Sequence, residues 1–255
     1  MNLRGRGMLV TGGAGHIGME TALQFVAAGG AVAINGRNLA RLEAVAKYIR
    51  AQASDAKVVA LAADVTDPAA CARLVAEAEA ELGRLDALVH CAMAPSPELA
   101  GPFHATDPSL YAGMMLKTVC AAMYVVHAAL PPLKRGGGGA IVAFPSDAGK
   151  TPAPNQTMVG ATRAAVMAFF RNLALEASAD AIRCNCIAPT YVDSPEMRAA
   201  LAGPHAARIA KATARARLGL PTAEELAALA VFLCGPAGAH LTGQVISVNG
   251  GLNAS

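Results

Sequence analysis

Residues 8–18, reading Met-Leu-Val-Thr-Gly-Gly-Ala-Gly-His-Ile-Gly, carry the clearest chemistry in the chain. A short apolar run breaks there into glycines and then into an amphipathic stretch over 17–28. Glycines at such a break let the backbone turn tightly and approach a pyrophosphate, while the helix that follows offers unpaired N–H groups at the positive end of its dipole. Thr11, Gly12, Gly15, His16, Ile17 and Gly18 are therefore the candidate phosphate-binding residues. An ordinary strand-to-helix turn has the same local pattern, so the surroundings must decide between the two. Six cysteines are scattered at 71, 91, 120, 184, 186 and 234. Only Cys184 and Cys186 are close; on a strand they share one face, which reads as a buried pair of small side chains, and no metal site is expected.

The elements that position this turn follow from composition and order. The 255 residues are 54% hydrophobic and 15% charged, ample for the core of one large α/β domain. A formal charge of +3 without a basic run, and 4% aromatics, give a nucleic-acid partner neither electrostatic nor stacking support. The opening residues hold no cleavable apolar segment, and no run reads as long enough to span a bilayer. A cytoplasmic protein working on a small molecule, with no membrane partner, is the expectation.

Strand-like and helix-like stretches alternate with short connectors, which argues for parallel strands joined by crossover helices in one domain over 1–255. Strands are expected at 9–11, 31–35, 58–62, 87–90, 140–144, 182–186 and 244–248. Helices are expected at 17–28, 39–53, 68–82, 110–130, 156–177 and 223–234, the long one stopping at Pro131-Pro132, with a loop over 95–108. The fold class is thus α/β, a doubly wound (Rossmann) parallel sheet of about seven strands with helices on both faces. The 189–219 insertion reads as one or two short helices lying as a substrate lid over the pocket mouth, because ligands in such sheets sit beyond the carboxyl ends of the strands.

With that alternation in hand, the chain resembles the short-chain dehydrogenase/reductase family from about residue 5 to 252. Thr11-Gly12 and Gly18 match the family's Thr-Gly-x-x-x-Gly-x-Gly, with Gly15 one place early and His16 where the middle glycine usually stands. The His16 side chain either crowds a pyrophosphate, attracts it when protonated, or is a satisfied turn histidine. The resemblance implies that Asp64-Val65 is the pair after the third strand whose carboxylate accepts from the adenine amino group. Arg37, just past the second strand, stands where an acidic residue would bind a ribose 2′-hydroxyl and a basic one a 2′-phosphate, so NADP(H) is expected over NAD(H). His90-Cys91-Ala92-Met93 replaces the usual Asn-Asn-Ala-Gly; Ala92 stays a cofactor residue, and Met93 either sits beside the ribose or fills apolar space. Residues 241–251 look like the closing strand and Arg217-Leu218-Gly219 like its usual approach.

The segment where the family keeps its chemistry departs furthest. Ser146 ends a strand as the family's catalytic serine does, but the usual spacing then puts Val159 at the tyrosine and Arg163 at the lysine. The helix asparagine falls near Lys117 or Thr118. The enoyl and dienoyl reductase arrangement places tyrosine elsewhere, and Gln156 stands at one such place. A tyrosine beside a lysine ammonium has its pKa lowered and can pass a proton to a developing alkoxide; valine has no proton to give and arginine does not deprotonate. Ser146 can still polarise a carbonyl and Arg163 can still donate to ribose hydroxyls. Tyr191, in Pro189-Thr190-Tyr191-Val192-Asp193-Ser194, is either a substitute acid or a loop aromatic, and Ser194 stands where the family loop often has a threonine for the carboxamide.

Two readings from different classes follow. In the first the protein is an atypical NADP(H)-dependent oxidoreductase of a carbonyl or enoyl-type small molecule, with Ser146, Arg163 and Tyr191 as catalytic residues. Arg198, His205, Arg208, Lys211 and Arg215 then form either a basic lid for an acidic or thioester-linked substrate or a solvated helix face. The resemblance implies a homotetramer or homodimer. In the second the protein is a catalytically silent member: a subunit of a hetero-oligomer with an active homologue, or a nucleotide-binding protein. A lyase-like relative is a weaker third, since dehalogenases resembling the family keep the tyrosine and lose the glycine turn.

Overall fold

The computed structural model describes residues 1–53, 56–93, 97–201, 203 and 206–254. Seven strands form one parallel sheet: β1 (Gly7–Thr11), β2 (Ala31–Gly36), β3 (Val58–Ala62), β4 (Ala87–His90), β5 (Gly139–Ala143), β6 (Ile182–Pro189) and β7 (Val245–Val248). Their order is β3-β2-β1-β4-β5-β6-β7. The order reverses between β1 and β4, which opens a crevice at the carboxyl ends of those strands.

Period-two alternation sorts the strand residues to two apolar layers. Met8, Val10, Val32 and Ile34 face α1 (His16–Ala27), α2 (Leu39–Gln52) and, from the far end of the chain, α9 (Ala223–Cys234). Leu9, Ala33, Leu88 and Ile141 face α3 (Pro68–Leu82) and the long helices 111–135 and 157–177. Cys184 and Cys186 lie buried together in that second layer; burial raises both thiols, Cys184 to about 12, so they pack as small apolar groups.

The long helix departs from expectation. It comprises α4 (Tyr111–Met115), a π-helical turn (Leu116–Cys120) and α5 (Ala121–Arg135), and it runs through Pro131-Pro132. The prolines forfeit intrahelical bonds only in the last turns, and continuing the helix buries Pro132 and Leu133 in the core. The helical stretch Pro108–Arg135 is long and apolar enough to cross a bilayer, contrary to the sequence expectation. Its Ala121, Ala122, Val125, Val126, Ala129 and Leu133 are all fully buried in the layer it shares with α3, which makes it a core helix. The expected loop holds 3-10 turns at Pro97–Leu99, Phe103–Ala105 and Pro108–Leu110, while its start at Pro95 lies outside the described residues. After α6 (Thr157–Ala177), residues 189–219 carry α7 (Pro195–Ala200) and α8 (Ala206–Thr213).

Candidate functional site

The glycine turn is held by contacts that only glycine permits at two places. Gly12 has φ +68, and a Cβ there would lie 2.8 Å from the Ala92 amide. A Cβ on Gly18 would run into the Gly12 carbonyl, so these positions set how closely α1 approaches β1. Gly15 caps α1 with no side-chain acceptor, leaving the first-turn N–H groups of Ile17 and Gly18 aimed out of the helix end. Thr11 is buried, with Oγ1 2.8 Å from His90 Nδ1, tying β1 to β4 below the turn. His16 leads α1 and sits near Glu224 at the start of α9. The Glu224 carboxyl is held below its ordinary range by its backbone and Thr222 hydrogen bonds, with the His16 charge contributing.

From the turn a cleft of about 700 Å³ runs across the ends of β2 and β3 to the helix 111–135. Of the sequence candidates, Gly12, Gly15, Arg37, Asp64, Val65 and Ala92 line it; Thr11, His16, Ile17, Gly18, Ser146, Arg163, Tyr191 and Ser194 do not. Asn35, fully buried, donates from Nδ2 to the carbonyls of Leu61 (3.0 Å) and Ala63 (3.3 Å), fixing β2 against β3 where the cleft begins. Asp64 Oδ1 accepts from the Thr66 amide (2.9 Å) and hydroxyl (2.8 Å), and the residue lines the cleft. Those two bonds, with the Arg37 charge beside them, hold its carboxyl below the usual range. Arg41, on the first turn of α2, donates to the Ala14 carbonyl at 3.0 Å and so lies across the glycine turn, on the same wall as Arg37. The cleft passes Met93 and ends at Met114 and Lys117.

At the other end of the crevice, Ser146 caps a short 3-10 turn, its Oγ accepting from the Ala148 amide at 3.4 Å. The next residue, Asp147, is buried and gathers four donors from two segments: Ser247 Oγ (2.9 Å), Asn249 Nδ2 (3.0 Å) and Asn253 Nδ2 (2.7 Å) from the last strand and beyond it, and Thr190 Oγ1 (3.2 Å). Val159 and Arg163 lie one turn apart on α6 and so share a face. Arg163 is buried and one N–H approaches Met93 Sδ at 3.8 Å, so the methionine thioether stands against the guanidinium the sequence assigns to the ribose. Burial, reinforced by the Arg163 charge, lowers His90 to about 4 and keeps it neutral. Of the two asparagine candidates, Thr118 is fully buried within the π-helical turn, its Oγ1 without a partner among the described residues, while Lys117 faces the cleft. Tyr191 is half-buried with no hydrogen bond to its hydroxyl among the described residues. Ser194 Oγ caps α7 by accepting from the Met197 amide at 3.1 Å. On the insertion, Arg198 Nε pairs with Asp193 at 3.1 Å; His205 lies outside the described residues, as does the side chain of Arg208.

A crevice at the reversal of strand order, with a glycine turn between β1 and α1, sets the comparison with known proteins. A family model described as enoyl-(acyl carrier protein) reductase matches residues 12–253. The chain belongs to the short-chain dehydrogenase/reductase family of oxidoreductases. An uncharacterized oxidoreductase of Mycobacterium tuberculosis is 33% identical over 246 residues, covering 96% of this chain and 90% of that one. A short-chain type dehydrogenase/reductase from Mycobacterium ulcerans superposes with a TM-score of 0.92 at 30% identity, covering 99% of this chain and 91% of that one. The structure of a 7α-hydroxysteroid dehydrogenase complexed with NADH and 7-oxo glycochenodeoxycholic acid superposes with a TM-score of 0.89 at 26% identity, covering 98% and 95%.

Sequence reasoning missed Arg41, Asn35 and Asp147. Arg41 carried a usable signal, since it follows Arg37 by four residues across a helix start capped by Asn38. Asp147 carried none, because its partners lie between 43 and 106 positions away.

Proposed function

We propose that the protein is a cytoplasmic, NADP(H)-dependent oxidoreductase of a carbonyl or enoyl-type small molecule, acidic or thioester-linked. What carries this reading is the pair of guanidinium groups, Arg37 and Arg41, on one wall of a cleft whose floor is the glycine turn. A dinucleotide fits that cradle: Gly12 and Gly18 leave room that a Cβ would fill, and the α1 amides supply donors for the pyrophosphate. Arg37 and Arg41 would take a ribose 2′-phosphate, Asp64 and Val65 the adenine, Ala92 and Arg163 the second ribose, and Ser194 the carboxamide. The bound nicotinamide would exchange hydride with the substrate carbon.

The chain's own contribution is positioning and proton supply. Ser146 keeps its hydroxyl proton for a substrate oxygen, because its Oγ acts only as acceptor toward Ala148. The family tyrosine and lysine are absent in this reading, their places taken by Val159 and Arg163. Val159 gives no proton and Arg163 relays none, so the proton comes from Tyr191, from water or from the substrate. The protein works as a homotetramer or homodimer built on the long helices and the C-terminal segment. The silent-subunit alternative draws no support from the relatives, which are named as oxidoreductases and dehydrogenases.

Fluorescence titration of the apo protein tests the cofactor assignment. NADPH is expected to bind at least about tenfold more tightly than NADH, a preference lost in Arg37→Ala, since a charged hydrogen bond of this kind is worth about that factor. Equal affinities would overturn the NADP(H) assignment. Binding of neither, with an active homologue co-purifying, would overturn the enzyme itself.

A further inference from the structure

A second cavity, of about 650 Å³, opens at the opposite end of the sheet, where the strands begin and far from the glycine turn. Three arginines reach it from separate segments: Arg6 before β1, Arg84 before β4 and Arg183 within β6. One carboxylate, Asp86, faces them, and it is saturated. Its oxygens accept from Arg84 Nε (2.7 Å) and Nη2, from Arg6 Nη1 (3.4 Å) and from the Gly7 amide (2.8 Å). Arg183 has no carboxylate partner among the described residues. Among the described residues its guanidinium donates to the carbonyls of Leu241 and Gly235, both at a long 3.4 Å.

Guanidinium groups carry five donors in a fixed fork, and most of Arg183's remain unused. Burial above all, and the nearby Arg6 charge, press its pKa downward, so the arrangement is electrostatically costly as it stands. A dianion between Arg183 and Arg6 would relieve both the repulsion and the unmet donors. Thr242 adds a hydroxyl proton, since its Oγ1 accepts from the Cys184 amide at 3.1 Å. The volume exceeds what a bare phosphate fills and lies within the usual range for small-molecule sites, with Ile182, Pro236 and Ala239 as apolar wall.

We propose that this cavity binds the phosphate dianion of a small phosphomonoester, with Arg183 and Arg6 as its ligands and Thr242 as a further donor. Arginine forks match phosphate oxygens in pairs, and the excess of three guanidinium groups over one carboxylate suits a doubly charged ligand.

Crystals of the full chain grown without sulfate or phosphate and soaked in selenate are expected to show an anomalous peak between Arg6 and Arg183. Calorimetric titration with inorganic phosphate and with glycerol 3-phosphate then separates a free-phosphate site from an ester site. Tighter binding of the ester supports the proposal, and equal binding overturns the ester assignment. Arg183→Leu is expected to weaken binding about tenfold or more, while Lys47→Ala at an exposed position of α2 leaves it unchanged. If Arg183→Leu does not fold, Arg6→Gln, at a half-exposed side chain, serves the same comparison. No peak at Arg183, or affinity that Arg183→Leu leaves unchanged, would overturn the site.

Discussion

Two residues make sharp statements about chemistry and stability. Val159 shares a helix face with Arg163. If proton supply limits turnover, Val159→Tyr adds a proton donor beside a fixed positive charge and raises kcat by about 10²-fold or more, measured as NADPH oxidation over a panel of ketones and enoyl thioesters. An unchanged rate with bound cofactor would mean that the proton already arrives by another route. His90 is fully buried, kept neutral down to about pH 4, and its Nε2 has no partner among the described residues. In the unfolded chain the same imidazole protonates near pH 6.5. Between those values the unfolded state binds more protons, so stability rises with pH across that window. Melting temperature therefore falls on acidification from neutral pH toward 4, and His90→Asn flattens part of that slope; an identical slope in the variant would remove His90 as the cause.

At the scale of elements, the site depends on segments clamped from a distance. Asp147 ties the turn after β5 to Thr190 after β6, to Ser247 in β7 and to Asn249 and Asn253 beyond it. Removing its carboxyl leaves several buried donors unpaired, so Asp147→Ala costs about 3 kcal/mol in denaturant unfolding, and Asp147→Asn less, because it keeps one acceptor. Equal effects of the two substitutions would show that packing, not hydrogen bonding, is what Asp147 supplies. At the opposite wall, α9 begins with a capping box, Thr222 and Glu225, and its Glu224 lies near His16 on α1. The helix that follows the glycine turn is thereby braced by one from the far end of the fold. The π-helical turn inside 111–135 holds Thr118 in the core and Lys117 at the cleft.

The whole molecule leaves apolar side chains on the outer faces of its long helices. Leu175 on α6 is 79% exposed, and Met115 and Leu116 are each about two-fifths exposed. If the protein assembles through these helices as proposed, light scattering gives a dimer or tetramer mass and Leu175→Glu lowers it, because a charge in an apolar contact is costly to bury. A monomer at the outset would refute that assembly route. The molecule also has two ends with different chemistry: the glycine cleft at the strand termini, and the arginine-lined cavity at the strand origins.

The sequence by itself determined the seven parallel strands, the glycine turn and the family, because each rests on local periodicity or on short spacing along the chain. Arg37 and Asp64, named from their places just past β2 and β3, line the cleft. Only the tertiary structure decided the rest. The passage of a helix through Pro131-Pro132 turned on how much Leu133 buries, and the turn of His16 toward Glu224 on a helix from the far end of the chain. The contact of Met93 with Arg163, the bonds from Arg6 and Gly7 to Asp86 and the gathering of donors on Asp147 join residues far apart in the chain. Contacts of that range leave no pattern in a linear sequence, because they exist only once the sheet has brought its strand ends together.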